Sequence, residues 1–147
     1  MNIHAWWPRI GSWILAGIFM GTGILKIADP QVFALDVAHY RLLPWWGSQL
    51  AAVVLPAWEI ATGAALLIPR WQQAGALTAA GLGGVFLGAV ISALVRGLDI
   101  ACGCFGSGSH RIDAANLALD VFLICLALGI LISVRTPNFD ASDHSPK

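Results

Sequence analysis

At 147 residues the chain is one domain by length, yet 58% of it is apolar and 11% is charged. Its mean hydropathy is +0.76, a balance that excludes an ordinary soluble globule. Lys and Arg together number 8 and so do Asp and Glu, and the absence of a basic block argues against a nucleic-acid partner.

A helix needs about 20 apolar residues to cross a hydrocarbon core of ~30 Å. The runs 10–28, 49–68, 73–95 and 114–134 each satisfy that, so the sequence predicts four membrane-spanning helices in a single domain over 1–147. The first run follows Arg9, but no small-x-small cleavage pattern precedes Lys26 and Asp29; it is read as a retained span rather than a signal peptide.

Between the first two spans, Asp29 and Pro30 read as the N-cap and first residue of a short helix. Phe33, Val37 and Tyr40 then share one of its faces. Such an amphipathic helix belongs at the bilayer surface, as a cover over one mouth of the bundle. Trp6 and Trp7 precede the first span, Trp45 and Trp46 the second, and Trp71 follows it, as interfacial aromatic belts require. Trp13 and Trp58 fall inside spans and are assigned to packing.

Glu59 lies about 16 Å into the second span, near the midplane, where a carboxylate is costly and usually faces the bundle interior. Two roles fit it: an interhelical hydrogen bond, or proton transfer and ligand contact. Pro56 one turn earlier kinks the helix or frees a carbonyl for a polar neighbour. The short turn at Arg70 makes the second and third spans antiparallel. In the third, Ala76, Ala80, Gly84, Gly88 and Ser92 form a ridge of small residues at i+4 spacing, with a shorter version at Gly17 and Gly21 in the first. Both are read as helix-packing surfaces. The fold class is therefore an all-α membrane protein, an antiparallel four-helix transmembrane bundle with a short interfacial amphipathic helix between helices 1 and 2.

The stretch "DIACGCFGSGSH", 99–110, separates the third and fourth spans. Cys102 and Cys104 lie one glycine apart, and in an extended strand their α-carbons would be about 7 Å from each other, the far edge of disulfide geometry. Gly103, Gly106 and Gly108 permit the turn that pairing requires. So small a ring would be easily reduced and a poor structural staple, which suits a working redox disulfide. Arg96, His110 and Arg111 are cations that favour a thiolate, with Asp99 opposing them. A metal site is the alternative: Cys102, Cys104 and His110 suit copper(I) or zinc but lack a fourth ligand. A third reading gives the pair no role beyond that of small apolar residues.

In the fourth span Asp113, Asn116 and Asp120 fall at i, i+3 and i+7, a polar stripe reaching about 10 Å inward. Asp113 suits an N-cap; Asp120 and Glu59 together suggest a polar track into the bundle. Cys125, about 18 Å deep, is assigned to packing. The polar tail 135–147 carries no motif. Four spans put both termini on one side, and the positive-inside rule ties: Arg9, Arg70, Arg135 and Lys147 face Lys26, Arg41, Arg96 and Arg111.

These residues resemble the MauE/DoxX-like family of small four-helix membrane proteins. The likeness rests on Gly17, Phe19, Gly23 and Lys26, on Asp29 and Pro30, on residues 40–44, on Pro56 and Glu59, and on "RGLDIACGCFG" before the fourth span. It implies a redox-associated protein of the bacterial inner membrane. MauE is linked to maturation of methylamine dehydrogenase, whose small subunit is rich in disulfides. By resemblance Cys102 and Cys104 are the redox pair, and Lys26 and Glu59 match family positions; Arg96 and His110 support the pair as nearby cations and Asp120 as part of the polar stripe. The expected partners, beside the lipid bilayer, are a periplasmic thioredoxin-like protein or a maturing cysteine-containing client. A quinone is the candidate electron carrier, although no motif identifies its pocket. Disulfide chemistry favours an oxidising compartment, so the cysteine loop is expected in the periplasm and both termini in the cytoplasm. A non-enzymatic assembly factor, a copper- or zinc-handling protein and a small proton-coupled transporter are the competing classes.

Overall fold

The computed structural model describes residues 3–98 and 114–135, with side chains over 6–98 and 117–134. Cys102, Cys104, His110 and Asp113 lie outside the described residues, as does the side chain of Asn116. Five helices follow one another: α1 (Ile3–Ala28), α2 (Pro30–His39), α3 (Trp45–Leu67), α4 (Gln72–Val95) and α5 (Ala114–Arg135). Four of them are long and apolar enough to cross a membrane. They form a ring in which α1 packs on α3, α3 on α4, α4 on α5 and α5 back on α1. Alternating direction puts the end of α1, α2, the start of α3, the end of α4 and the start of α5 at one end of the bundle, here called the loop end.

Helices α1 and α3 begin earlier than the apolar runs suggest. Pro44, extended at ψ 160°, starts α3 so that Trp45 and Trp46 occupy its first turn, while Trp6 and Trp7 lie within α1. All four are exposed, as is Trp71 at the start of α4, which fits aromatic belts. Trp13 and Trp58 are not packing residues. They are 70% and 53% exposed and face outward, where lipid would meet them. Cys125 is likewise exposed rather than packed.

The small residues that let helices approach are not those of the predicted ridges. Each i+4 step turns about 40° around a 3.6-residue helix, so the five-residue ridge of α4 winds through about 160°. Ala76 faces the core, whereas Gly84 and Gly88 are exposed with open space around them, as are Gly17 and Gly21 in α1. Close approach occurs elsewhere. A Cβ at Gly23 would meet Ile60 at 2.8 Å and the Pro56 carbonyl at 3.0 Å; one at Gly63 would meet the Ala16 carbonyl at 3.0 Å. These reciprocal glycines bring α1 and α3 together. Gly83 serves the α4–α5 contact in the same way, against Ile124.

The core follows the ring. Leu15, Ala16 and Phe19 of α1, Leu66 of α3, Ala76, Ala79 and Leu82 of α4, and Leu126, Ala127, Ile130 and Leu131 of α5 form its main cluster. At the terminal end, Gln72 Nε2 donates to Ser12 Oγ at 2.5 Å and Ser12 Oγ donates to the Pro8 carbonyl at 2.7 Å, tying α4 to α1 where backbone groups have no lipid partner.

At the loop end, α2 forms where its sequence signals place it. The Asp29 side chain caps it by accepting from Val32 N at 3.2 Å, Pro30 leads it, and Phe33 and Ala34 bury against Ala52 of α3. Its last turn delivers Tyr40 onto Val90 and Ala93 of α4. Helix α4 ends in a Schellman turn: Leu98 N bonds the Ala93 carbonyl, Gly97 N bonds the Leu94 carbonyl, and Gly97 takes φ +64°, a conformation suited to glycine.

The glycine contrast within α4 gives a direct test. A Cβ at Gly75 would lie 2.8 Å from the Leu66 backbone nitrogen, so Gly75→Ala is expected to destabilise by about 1–3 kcal/mol through overpacking. Gly84→Ala, in open space, should be neutral or stabilise by up to ~1 kcal/mol through helix propensity. Unfolding of both variants in detergent checks this; equal effects would refute the packing described.

Candidate functional site

Helix geometry builds an ion site out of two residues that lie well apart along their own helices. Side chains lean toward the N-terminus of their helix. Lys26, near the C-terminal end of α1, therefore reaches down into the bundle, while Glu59 of the antiparallel α3 reaches up toward the loop end. They meet with Lys26 Nζ 2.5 Å from Glu59 Oε1, the two side chains 2% and 3% exposed. Glu59 lies about 21 Å along α3 from Trp45 and about 12 Å from Leu67, past the centre of the helix, but its carboxylate reaches back.

Aromatic rings close the ammonium off from lipid. Phe86 of α4 lies 4.5 Å from Nζ and Phe33 of α2 lies 4.9 Å from it, both within cation–π range. Asp120 of α5 faces the same space, close enough to interact electrostatically with Lys26. Lys26, Glu59, Phe86 and Asp120, together with Ile18, Phe19, Thr22, Gly83 and Leu123, line a cavity of about 50 Å³. The Thr22 hydroxyl donates back to the Ile18 carbonyl at 3.0 Å. Glu59 Oε2 and Asp120 Oδ2 are buried without a hydrogen-bond partner among the described residues.

Glu59 and Asp120 thus face one cavity, and Lys26 joins them; the outer part of the expected polar track, at Asp113 and Asn116, lies outside the described side chains. Lys26, which sequence position alone reads as a charge at the edge of a span, is an interior residue. Arg96 sits apart from this cavity. As the C-cap of α4 it donates through Nη2 to the Tyr40 carbonyl, through Nη1 to the Arg41 carbonyl at 3.4 Å and through Nε to the Ser92 carbonyl at 3.3 Å. These bonds tie the end of α4 to the end of α2. No group of His, Cys, Asp and Glu suited to a metal occurs among the described residues.

The model of the family "Methylamine utilisation protein MauE" matches residues 4–133. The chain belongs to the MauE family. The methylamine utilization protein MauE of Paracoccus versutus is 39% identical over 117 residues, covering 78% of this chain and 63% of that protein. Its counterpart in Paracoccus denitrificans is 31% identical over 126 residues, covering 82% of this chain and 68% of that protein. The chain therefore spans about two thirds of the length of these curated relatives. No solved structure matches it.

One further feature of this MauE-family chain was not signalled by sequence. Behind Phe86, α2 roofs an apolar cleft of about 250 Å³ whose walls include Phe33, Leu55, Val85 and Ala89, with Asp36 as its acidic group. Asp36 is 8% exposed. Burial raises its carboxyl above the usual aspartate range, and His39 three residues on partly offsets that. Only its i+3 relation to Phe33 could have flagged it, as a carboxylate on the inward face of an interfacial helix.

The ion pair and Asp36 each carry a prediction. Removing one member of a buried pair strands the other charge, so Lys26→Met should cost about 3–5 kcal/mol, and Glu59→Gln less, because Asp120 shares the cavity with the ammonium. The double variant should cost distinctly less than the sum. Strict additivity in a double-mutant cycle would mean that the two groups do not interact. For Asp36 the folded state binds the proton more tightly than the unfolded chain. Its contribution to stability is then complete below the ordinary aspartate value and is lost as pH rises through the raised one. Relative to Asp36→Asn, the wild type should lose stability from acid toward neutral pH; parallel pH profiles would refute the burial of this carboxyl.

Proposed function

We propose that the protein is a thiol–disulfide redox protein of the bacterial inner membrane, with Cys102 and Cys104 as the exchanging pair. The observation that carries this reading is a close thiol pair, one glycine apart, in the α4–α5 connection of a MauE-family membrane bundle. Family membership links the chain to methylamine utilisation, and a cysteine-containing exported client, or a thioredoxin-like protein serving it, is the partner class.

In the exchange, a client dithiol transfers two electrons and two protons to the Cys102–Cys104 disulfide. The client leaves as a disulfide and the loop cysteines as thiols. A quinone in the bilayer is the acceptor class that restores the loop: the dithiol becomes a disulfide and the quinone a quinol, which balances electrons and protons. The reverse direction uses the same groups.

Orientation gains support from the ion site. Lys26 is buried and paired and so does not act as an interfacial charge. Without it, Arg9, Arg70, Arg135 and Lys147 stand against Arg41, Arg96 and Arg111, an excess on the terminal side. The positive-inside rule then favours cytoplasmic termini and a periplasmic loop, the compartment that disulfide chemistry prefers.

A redox titration of the reconstituted protein tests the proposal, with the cysteines read out by mass-shift alkylation in glutathione buffers. A reversible two-electron transition, lost in Cys102→Ser and in Cys104→Ser, is the expected outcome. Thiols that never pair in any buffer would sink it, and stoichiometric copper(I) or zinc lost in Cys102→Ser would reassign Cys102, Cys104 and His110 to metal handling.

A further inference from the structure

The cavity at Lys26 brings together one cation and two carboxylates. Glu59 Oε1 takes the ammonium at 2.5 Å, Asp120 faces the same space, and Glu59 Oε2 and Asp120 Oδ2 are buried without a partner among the described residues. If all three groups were ionised, the centre would carry one unmatched negative charge between apolar walls. Coulomb energy and desolvation both oppose that in a low-dielectric interior.

The surrounding elements supply no compensating cation among the described residues. Lys26 is the ionisable residue that α1 presents here, and Glu59 the one that α3 carries. Helix α4 has none from Gln72 to Val95. Helix α2 faces the site with the ring of Phe33, its Asp36 lining the apolar cleft instead and its His39 being exposed. From α5 comes Asp120, with Cys125 turned outward. The volume, about 50 Å³, accommodates a few waters, which need ~10–15 Å³ each by the same measure and two or more polar partners. Two unpartnered carboxylate oxygens and the Thr22 hydroxyl offer those partners.

We propose that this cavity is a hydrated proton-binding centre, in which water bridges Glu59 Oε2 and Asp120 Oδ2 and the two carboxylates share one exchangeable proton opposite the Lys26 ammonium. Two interacting carboxyls of this kind titrate as a unit. The position of the proton selects which carboxylate balances the ammonium, Glu59 on α3 or Asp120 on α5. Proton uptake is thereby coupled to how α1 is held between its two neighbours. The centre does not depend on the chemistry of the loop cysteines, so the thiol reading and this one can fail separately.

Infrared spectroscopy of the full chain in lipid tests the proposal, in an Asp36→Asn background that removes the other carboxyl buried among the described residues. Near neutral pH the protein should show a carboxylic-acid C=O band that shifts on transfer to D2O. Asp120→Asn leaves one carboxylate to one ammonium and should abolish the band, as should Glu59→Gln, after which Lys26 pairs with Asp120. If Glu59→Gln fails to fold, Asp120→Asn decides alone, because Asp120 is half-buried and outside the ion pair. Absence of the band in the parent protein, or its survival at full intensity in Asp120→Asn, overturns the proposal. So does a band that appears in choline buffer and vanishes in sodium buffer, since the neutralising species would then be a metal cation.

Discussion

An ammonium group cannot be left alone in hydrocarbon, and much of the bundle is arranged around that constraint at Lys26. Its charge is met by Glu59 from α3 and its flanks by rings from α2 and α4. Of the five helices among the described residues, four contribute directly to one nitrogen atom. Such a contact fixes register. Rotating α1 by one residue swings Lys26 through about 100°, out of reach of Glu59. Desolvation makes buried pairs weak as sources of stability, but the penalty for mispairing makes them strong arbiters of which packing is allowed. Gly23 complements this: its missing Cβ lets α1 approach Pro56 and Glu59 closely enough for the pair to form.

In water the interior of a protein is where apolar residues collect; in lipid that rule loses its force, because a tail is as apolar as a leucine. The consequences run through the chain. Trp13, Trp58, Phe122 and Ile132 are large, apolar and exposed, while Ser12, Thr22, Lys26, Ser48, Glu59 and Thr62 are buried. Here the inside is marked by polar residues that need partners and by small residues that admit a neighbouring backbone. Assigning Trp13 and Trp58 to packing applies the aqueous rule in the wrong solvent. Reading an i+4 row of small residues as one continuous face neglects the drift of that row around the helix.

Much of the fold was legible because it depends on run length and local signals. Four apolar stretches gave four spans, Asp29 and Pro30 gave the start of α2, and Arg70 gave the tight turn between α3 and α4. The boundaries at Trp45 and Trp6 were missed because a tryptophan-rich first turn scores low in hydropathy although it is helical. The site was half legible. Glu59 and Asp120 stand out as carboxylates inside spans, whereas Lys26 entered through family resemblance alone. Two residues from the end of α1, it reads as an interfacial charge until the inward lean of its side chain is considered. Phe33 and Phe86 become informative only once an ammonium lies between them.

Polar contacts tie several elements together at the loop end. Lys26 joins α1 to α3 there, Asp29 starts α2, and Arg96 holds the Tyr40 and Arg41 carbonyls from the end of α4. Arg41, at φ 51°, adopts the left-handed conformation at this junction, and the Arg96 contact to its carbonyl helps hold the turn there. The connection that carries Cys102 and Cys104 therefore leaves α4 directly after a residue bonded to three backbone carbonyls and a glycine-locked Schellman turn. Through Arg96 the end of α4 is held to the end of α2, the helix whose Phe33 ring faces the Lys26 ammonium.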